Sequence, residues 1–579
     1  MKLTLEITFL ITAITLSFHP LEAQQNNRIN TKVEVQRDYE IRIMEITKPK
    51  LSPAIPDSLS RFNIIVDYTI FDKPYHDLYS FTPLPPVRLF SSQTEKIPCA
   101  HIRLGLTWPI TPEADIFIQA PLTGMSALLL TAQHRSFYGE LPIYKYATQI
   151  VADQMTNKAD ARYALNWDKG RFEIGGGYDY NYHTYYGIAP FFSESLQPAS
   201  FNNRPYMRDN MSHTWNLYRA GLSLSSLKTV QSGTEWSIAV GWSLLEDHAR
   251  LWHTTPTPTL SENLFHFKGE VGIRLQPEQM YGLALYGSFS NHPFSSVLDR
   301  GVFAINPYYQ LNKNRFTLTA GLVISGAHHY DKETEKTNRF FIYPKVEASY
   351  QLIPDNLLIY ADIRGENRFN NYQTLLTENP WLSQNIELRT GDQPWNIRAG
   401  LKGKIANHLG YHLYGQYVKT NNQYYFKNSS DLYNVFTLQY DTEQRISAIT
   451  EFSWNTKPLT LNLTGKYHSY TLCSGDPAWF KPDIEALLTA RYQWRERIIA
   501  SAVIEYRGEV LSRVPPLKQV PVDEKIKGFT DIGLTLEYRF ASWFGLYVEA
   551  KNVLNVEKQY YLFYNEPGMR IGGGMTFRF

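Results

Sequence analysis

From about residue 100 to the C-terminus, apolar and polar side chains trade places at every second position, segment after segment. Phe529 to Phe540 is a clear case. Thr530, Ile532, Leu534, Leu536, Tyr538 and Phe540 share one face, while Asp531, Thr535, Glu537 and Arg539 share the other. After Ala541-Ser542, the residues Phe544, Leu546, Val548 and Ala550 oppose Tyr547, Glu549 and Lys551. A period of two puts successive side chains on opposite sides of an extended chain. One side then meets apolar material and the other meets water or polar groups. A soluble sandwich would show the same alternation, so the connections must separate the two architectures. Short ones fall at Trp167-Asp168-Lys169-Gly170, Leu275-Gln276-Pro277-Glu278, Leu311-Asn312-Lys313-Asn314, Ile353-Pro354-Asp355-Asn356 and Trp494-Arg495-Glu496-Arg497. Between them lie long polar loops such as 187–210, 369–392 and 508–528. Short turns at one end and long loops at the other are the pattern of a transmembrane antiparallel β-barrel. Counting from His101 gives about 22 strands, with Tyr424–Phe426 and Val435–Tyr440 taken as an outer hairpin rather than spanning segments.

A barrel shows only alternate residues to lipid, so it can cross a bilayer and still read as polar. The mean hydropathy of −0.34 fits that, whereas a helical membrane protein of this size would be far more apolar. Beyond the N-terminus no segment approaches the ~18 consecutive apolar residues that a spanning helix needs. The 40 Tyr, 31 Phe and 12 Trp suit side chains that sit at a lipid–water boundary, which makes outer-membrane lipids the expected surroundings. A formal charge of +2 carries no bias toward nucleic acid, and none is expected as a partner.

The N-terminus reads as an export signal over 1–23: basic Met1-Lys2, an apolar run from Leu3 to Phe18, then Leu21-Glu22-Ala23 as a cleavage site. Residues 24–98 differ from everything after them. Pro49, Pro53, Pro56, Pro74, Pro83, Pro85 and Pro86 favour extended polypeptide, so this stretch is expected to be a periplasmic arm rather than a folded domain. The barrel then occupies 99–579. Cys99 and Cys473 are expected at opposite sides of the membrane, where no disulfide can join them.

The end of the chain carries the most specific signal. Met569, Ile571, Gly573, Met575, Phe577 and Phe579 alternate with Arg570, Gly572, Gly574, Thr576 and Arg578. A closing strand with Phe577 and Phe579 on one side resembles the signal read by the outer-membrane barrel assembly machinery, an expected partner during biogenesis. Upstream, Lys551-Asn552-Val553-Leu554-Asn555-Val556-Glu557-Lys558-Gln559-Tyr560-Tyr561 resembles the penultimate-strand motif of TonB-dependent receptors. The matching positions are Asn552, Leu554, Asn555, Lys558 and Tyr560. Val35-Gln36-Arg37-Asp38-Tyr39, Pro53-Ala54-Ile55-Pro56 and Pro83-Leu84-Pro85-Pro86 resemble the arm of a plugless, TonB-dependent-receptor-like outer-membrane β-barrel family. That resemblance implies solute uptake or passage across the outer membrane of a Gram-negative cell. It also sets a problem, because a barrel of about 22 strands encloses a wide lumen. Either the arm, inward-folded loops, lumen side chains or a partner must close it.

No arrangement of residues points to catalysis, and the chain is expected not to be an enzyme. There is no Gly-x-Ser-x-Gly sequence and no phosphate-cradling Gly loop. Gly175-Gly176-Gly177 and Gly572-Gly573-Gly574 sit within strands, where they relieve crowding. His328-His329-Tyr330-Asp331 is the densest set of ligand-type side chains. Neighbours on a strand diverge, however, so a solvated loop is the simpler reading, with no metal and no cofactor expected. Tyr178, Tyr180, Tyr182, Tyr185 and Tyr186, with Trp381, Trp395, Tyr424, Tyr425, Phe426, Tyr560, Tyr561, Phe563 and Tyr564, fit an interfacial girdle better than a glycan- or partner-binding platform. The alternative to passage is a non-conducting accessory or scaffold barrel that docks lipoproteins or an outer-membrane assembly complex. Either form could engage a lipoprotein or periplasmic partner.

Overall fold

The computed structural model describes residues 99–579 apart from 124, 143–148, 189–200, 228–232, 252–258, 292–297, 330–336, 407, 430–433 and 515–521. The leader at 1–23 and the arm at 24–98 therefore lie outside the described residues, as do Tyr330 and Asp331. Alternating segments from Ala100 onward pair, each with its neighbour in sequence, into one antiparallel sheet of 22 strands. The sheet closes on itself. The first strand, Ala100–Trp108, pairs with the last, Arg570–Arg578, from His101↔Arg578 to Trp108↔Ile571. Closure leaves no sheet edge along that seam, which is the condition for a β-structure to sit in an apolar solvent.

Alternation in sequence becomes alternation of environment. In Phe544–Lys551, Val548 is 60% exposed on the outer surface while Glu549 is 3% exposed on the inner one. Leu534, Leu536, Tyr538 and Phe540 likewise face outward, and Asp531, Thr535 and Glu537 inward. The expected short turns sit at one end. The Trp494–Arg497 turn closes with Arg497 N–H on Trp494 O at 3.2 Å, and Arg495 and Glu496 both take positive φ (47° and 59°). That is the backbone of the type I′ turn, whose twist matches the strands it joins. The Leu311–Asn314 turn falls two residues later than expected, since the ladder runs on to Lys313↔Phe316. Tyr424–Phe426 and Leu438–Tyr440 pair with one another as the expected outer hairpin. It is built from the outer ends of the 20-residue strands Leu409–Asn428 and Phe436–Asn455, past a register shift between Thr420 and Gln423.

The closing seam explains the glycines of the last strand. A Cβ on Gly572 or Gly574 would stand 2.1 or 1.9 Å from the carbonyl oxygens of Leu106 and Leu104. Only glycine permits that approach. Over the smooth strip lies Tyr547, with the Arg103 guanidinium 4.0 Å above its ring. Arg103 pairs with Glu549 at 2.5 Å, and Lys551 bonds Glu113 and stands 3.5 Å from Glu549. Both cysteines are free and exposed, Cys99 at the short-turn end and Cys473 in a loop at the other. Phe577 and Phe579 stack in parallel (6.5 Å, 3°) at the short-turn end, where Phe577 also meets Phe544 at 5.5 Å.

Candidate functional site

At the long-loop end the described parts of several connections turn inward and pack on one another. One inward loop joins Leu357–Arg368 to Gly391–Ile405 and carries a short helix, α1 (Tyr372–Glu378). Its sequence explains the helix. Asn371 accepts the Thr374 N–H at 2.9 Å as N-cap, and Tyr372, Leu375 and Leu376 fall on the buried side at helical spacing. Around it Tyr185, Trp381, Phe436, Tyr561 and Tyr564 are all nearly or wholly buried. Trp381 stacks on Tyr564 at 3.7 Å, and Tyr186 meets both rings edge-on.

Polar anchors fasten this lid to the wall. Glu262 accepts the N–H groups of Tyr372 and Gln373 at 3.0 and 2.9 Å, placing a carboxylate against the unpaired donors that open α1. Gln373 returns a bond to Glu262 O at 3.1 Å and accepts from Ser243 at 2.7 Å. Tyr372 donates to Asp247 at 2.7 Å. Burial, with the Asp247 carboxylate beside it, pushes that hydroxyl well above the ordinary tyrosine range, so it stays a donor. His213 bridges Asp247 and the Pro380 carbonyl, the latter at 2.9 Å. At the far end of α1, Glu378 takes Lys481 at 3.0 Å and Tyr424 at 2.5 Å. Arg300 donates to Asn370 O at 2.7 Å. The lid is thus tied to strands on both sides of the lumen.

The penultimate-loop motif also belongs to this cap. Asn552 and Asn555 both take φ +48°, a conformation asparagine tolerates better than most residues. The Asn552 amide donates to Val556 O and Pro567 O at 2.9 and 3.3 Å, and the Asn555 side chain accepts from Met569 N–H at 2.9 Å. Lys558 forms a buried pair with Asp531 at 2.5 Å, and Tyr560 reaches Glu505 at 3.0 Å. Leu554 points out and is exposed. These residues shape the 552–569 connection so that Tyr560 to Tyr564 enter the cap. Phe577 and Phe579 lie at the other end of the barrel and take no part in it.

The aromatic clusters need correcting. Tyr178 and Trp395 are exposed on the outer face, as a girdle requires. Tyr185, Tyr186, Trp381, Tyr424, Tyr425, Phe426, Tyr560, Tyr561, Phe563 and Tyr564 are buried in the cap, available neither to lipid nor to a glycan. A sequence signal existed for most of them: apart from Tyr424, Tyr425 and Phe426, which lie at the outer end of a strand, they sit in long loops, where lipid-facing alternation has already ended. His328 is held by Asn338 at 2.7 Å on a strand. Among the described residues no cluster of three ligand-type side chains could hold a metal.

No protein-family model and no curated protein matches this chain. Solved structures do. The FrpB iron transporter of Neisseria meningitidis aligns with TM-score 0.62 at 9% identity, over 84% of this chain and 81% of that one. The ferric-catecholate import receptor Fiu of E. coli K12 aligns at 0.59 and 11%, over 83% and 82%. The ferripyoverdine receptor of the outer membrane of Pseudomonas aeruginosa aligns at 0.60 and 12%, over 84% and 72%. These neighbours are TonB-dependent receptors, and at such identities the likeness is one of fold.

Proposed function

We propose that this chain is an outer-membrane barrel of the receptor type, which passes a solute through its lumen and is shut at its outer mouth by the 369–390 lid. The single observation that carries this is the lid itself, folded inward and fastened to the wall through Glu262, Asp247, His213 and Glu378. The outer surface supports the setting, since an apolar band around a polar interior needs lipid outside and water within. On this reading residues 1–23 export the chain, and the short turns and Phe579 face the periplasm. The assembly machinery reads Phe577 and Phe579. A plugless receptor would need an intrinsic seal, and the lid supplies one. The uptake named in the neighbours' titles favours passage over scaffolding.

The scaffold reading keeps one observation of its own: Trp381, Leu382 and Tyr561 are buried as completely as residues of a permanent core. Sensitivity to a large glycopeptide antibiotic separates the two. Replacing residues 372–388 with a short Gly-Ser linker should sensitise cells if a continuous lumen lies behind the lid. Unchanged sensitivity at equal levels of inserted barrel would favour the scaffold.

A further inference from the structure

The wall is closed by hydrogen bonds at every neighbouring pair of strands, but at several seams the pairing stops short of the strand ends, and at one of them the unpaired stretch covers 337–344. Thr337–Ile353 and Leu357–Arg368 pair only from Ile353↔Leu357 out to Lys345↔Arg364. Both strands then continue outward without each other. Residues 337–344 stay paired to the preceding strand as far as Thr337↔His329. Residues 366–368 stay paired to the following one after a register shift between Arg364 and Glu366. Among the described residues, no strand pairs with 337–344 on its other side.

Local chemistry accounts for the split. Pro344 has no N–H to give, and Gly365 stands where Tyr343 and the Pro394 carbonyl would leave a Cβ only 2.6 and 2.8 Å. The departing tip lies on the lumen side of the wall: Asn367 donates to Ser325 at 2.7 Å, and the Tyr343 hydroxyl lies 2.7 Å from both Asn367 and Asp392. The two edges therefore overlap instead of leaving a hole. The outer lip is the free edge of 337–344. In a strand, backbone groups point to alternate sides. Proline is tolerated where its missing donor would have faced the unpaired side, so the N–H and C=O groups of Asn338, Phe340 and Ile342, in phase with Pro344, face that edge.

The same lip holds two of the most exposed large apolar side chains of the protein, Phe340 at 81% and Ile342 at 71%. Strands rise about 3.3 Å per residue at roughly 40° tilt, or about 2.5 Å of height each, so an apolar band of about 25 Å takes about ten residues. Counted from Leu352, that places Ile342 at the outer lipid boundary and Phe340 just beyond it. Lipid tails offer no partner for the edge, and water satisfies the backbone but leaves Phe340 and Ile342 uncovered. An extended peptide does both.

We infer that residues 337–343 are a docking edge for an extended polypeptide strand with alternating apolar residues, added to the outer rim by β-augmentation. Main-chain bonds hold it, and Phe340 and Ile342 meet its outward side chains. The claim does not depend on conduction through the lumen.

The purified full barrel in detergent micelles provides the test, with a fluorescein-labelled probe of eight alternating Val and Thr residues flanked by Lys. Wild-type protein should bind it saturably by anisotropy. The same peptide N-methylated at every inner residue, which keeps the side chains and removes the donors, should not bind. Ile342→Pro, which removes one edge-facing N–H, should weaken binding at least tenfold while heat-modifiable migration is retained. Failure of wild type to bind, or equal binding of the N-methylated peptide, would overturn the inference. So would a wild-type dimer that Ile342→Pro dissociates, since a second copy would then own the edge.

Discussion

At Val548 and Glu549, adjacent residues on one strand meet opposite solvents, and the alternation of the sequence already says which is which. Val548→Arg should cost about 2–4 kcal/mol, the usual penalty for a cation on the lipid face at mid-membrane. The lumen-facing Asn462→Arg should cost little, and urea unfolding from vesicles compares the two. By sequence alternation alone, Glu549 is expected to tolerate change like any other lumen position. The structure corrects this, because Glu549 is bonded to Arg103, 446 residues away, and lies beside Lys551. Glu549→Ala should therefore destabilise by about 3 kcal/mol, since it strips a buried cation of its partner, and the same urea titration reads it. Equal stability of Glu549→Ala and wild type would show that the pair contributes nothing. Facing is legible from parity, whereas a pairing between the two ends of the chain depends on closure and has no local trace.

Among the elements, the strands were nearly all legible, because each alternates for eight or more residues and ends in recognisable turn chemistry. The lid was not. Residues 369–392 read as a polar loop, although Asn371 before Tyr372, Leu375 and Leu376 is a capped amphipathic turn. What hid it was length: an α1 of 7 residues is too short to hold without tertiary support, and its support comes from Glu262 and Asp247 on distant strands. Glu262→Ala should leave the first N–H groups of α1 without an acceptor and loosen the lid. Trypsin added to intact cells should then cut after the lid residue Arg389 several-fold faster than in wild type, with cleavage elsewhere unchanged. An unaltered cleavage rate would show that the apolar cap holds the lid unaided. The loop aromatics were visible in the sequence but misassigned, because a tyrosine beside a strand end looks the same whether it turns out to lipid or in to a cap.

For the whole molecule, strand number and closure followed from the alternation of short and long connections, and the start of the first barrel strand meets the end of the last at the short-turn end, as an even count requires. Phe577 and Phe579 stack on that rim, outside every contact of the cap. Deleting Phe579 should lower the amount of heat-modifiable barrel in outer-membrane fractions and leave export to the periplasm intact; normal insertion would remove its role as an assembly signal. The arm at 24–98 lies outside the described residues, and the lid stands at the outer mouth. At the outer mouth the chain's own lid is proposed to shut a continuous lumen. Single-channel recording in planar bilayers tests it most directly, comparing the full chain with a variant in which a Gly-Ser linker replaces residues 372–388. Negligible conductance is expected for the full chain and stable, large openings for the variant. Open channels in the full chain, or a variant as silent as its parent, would contradict it.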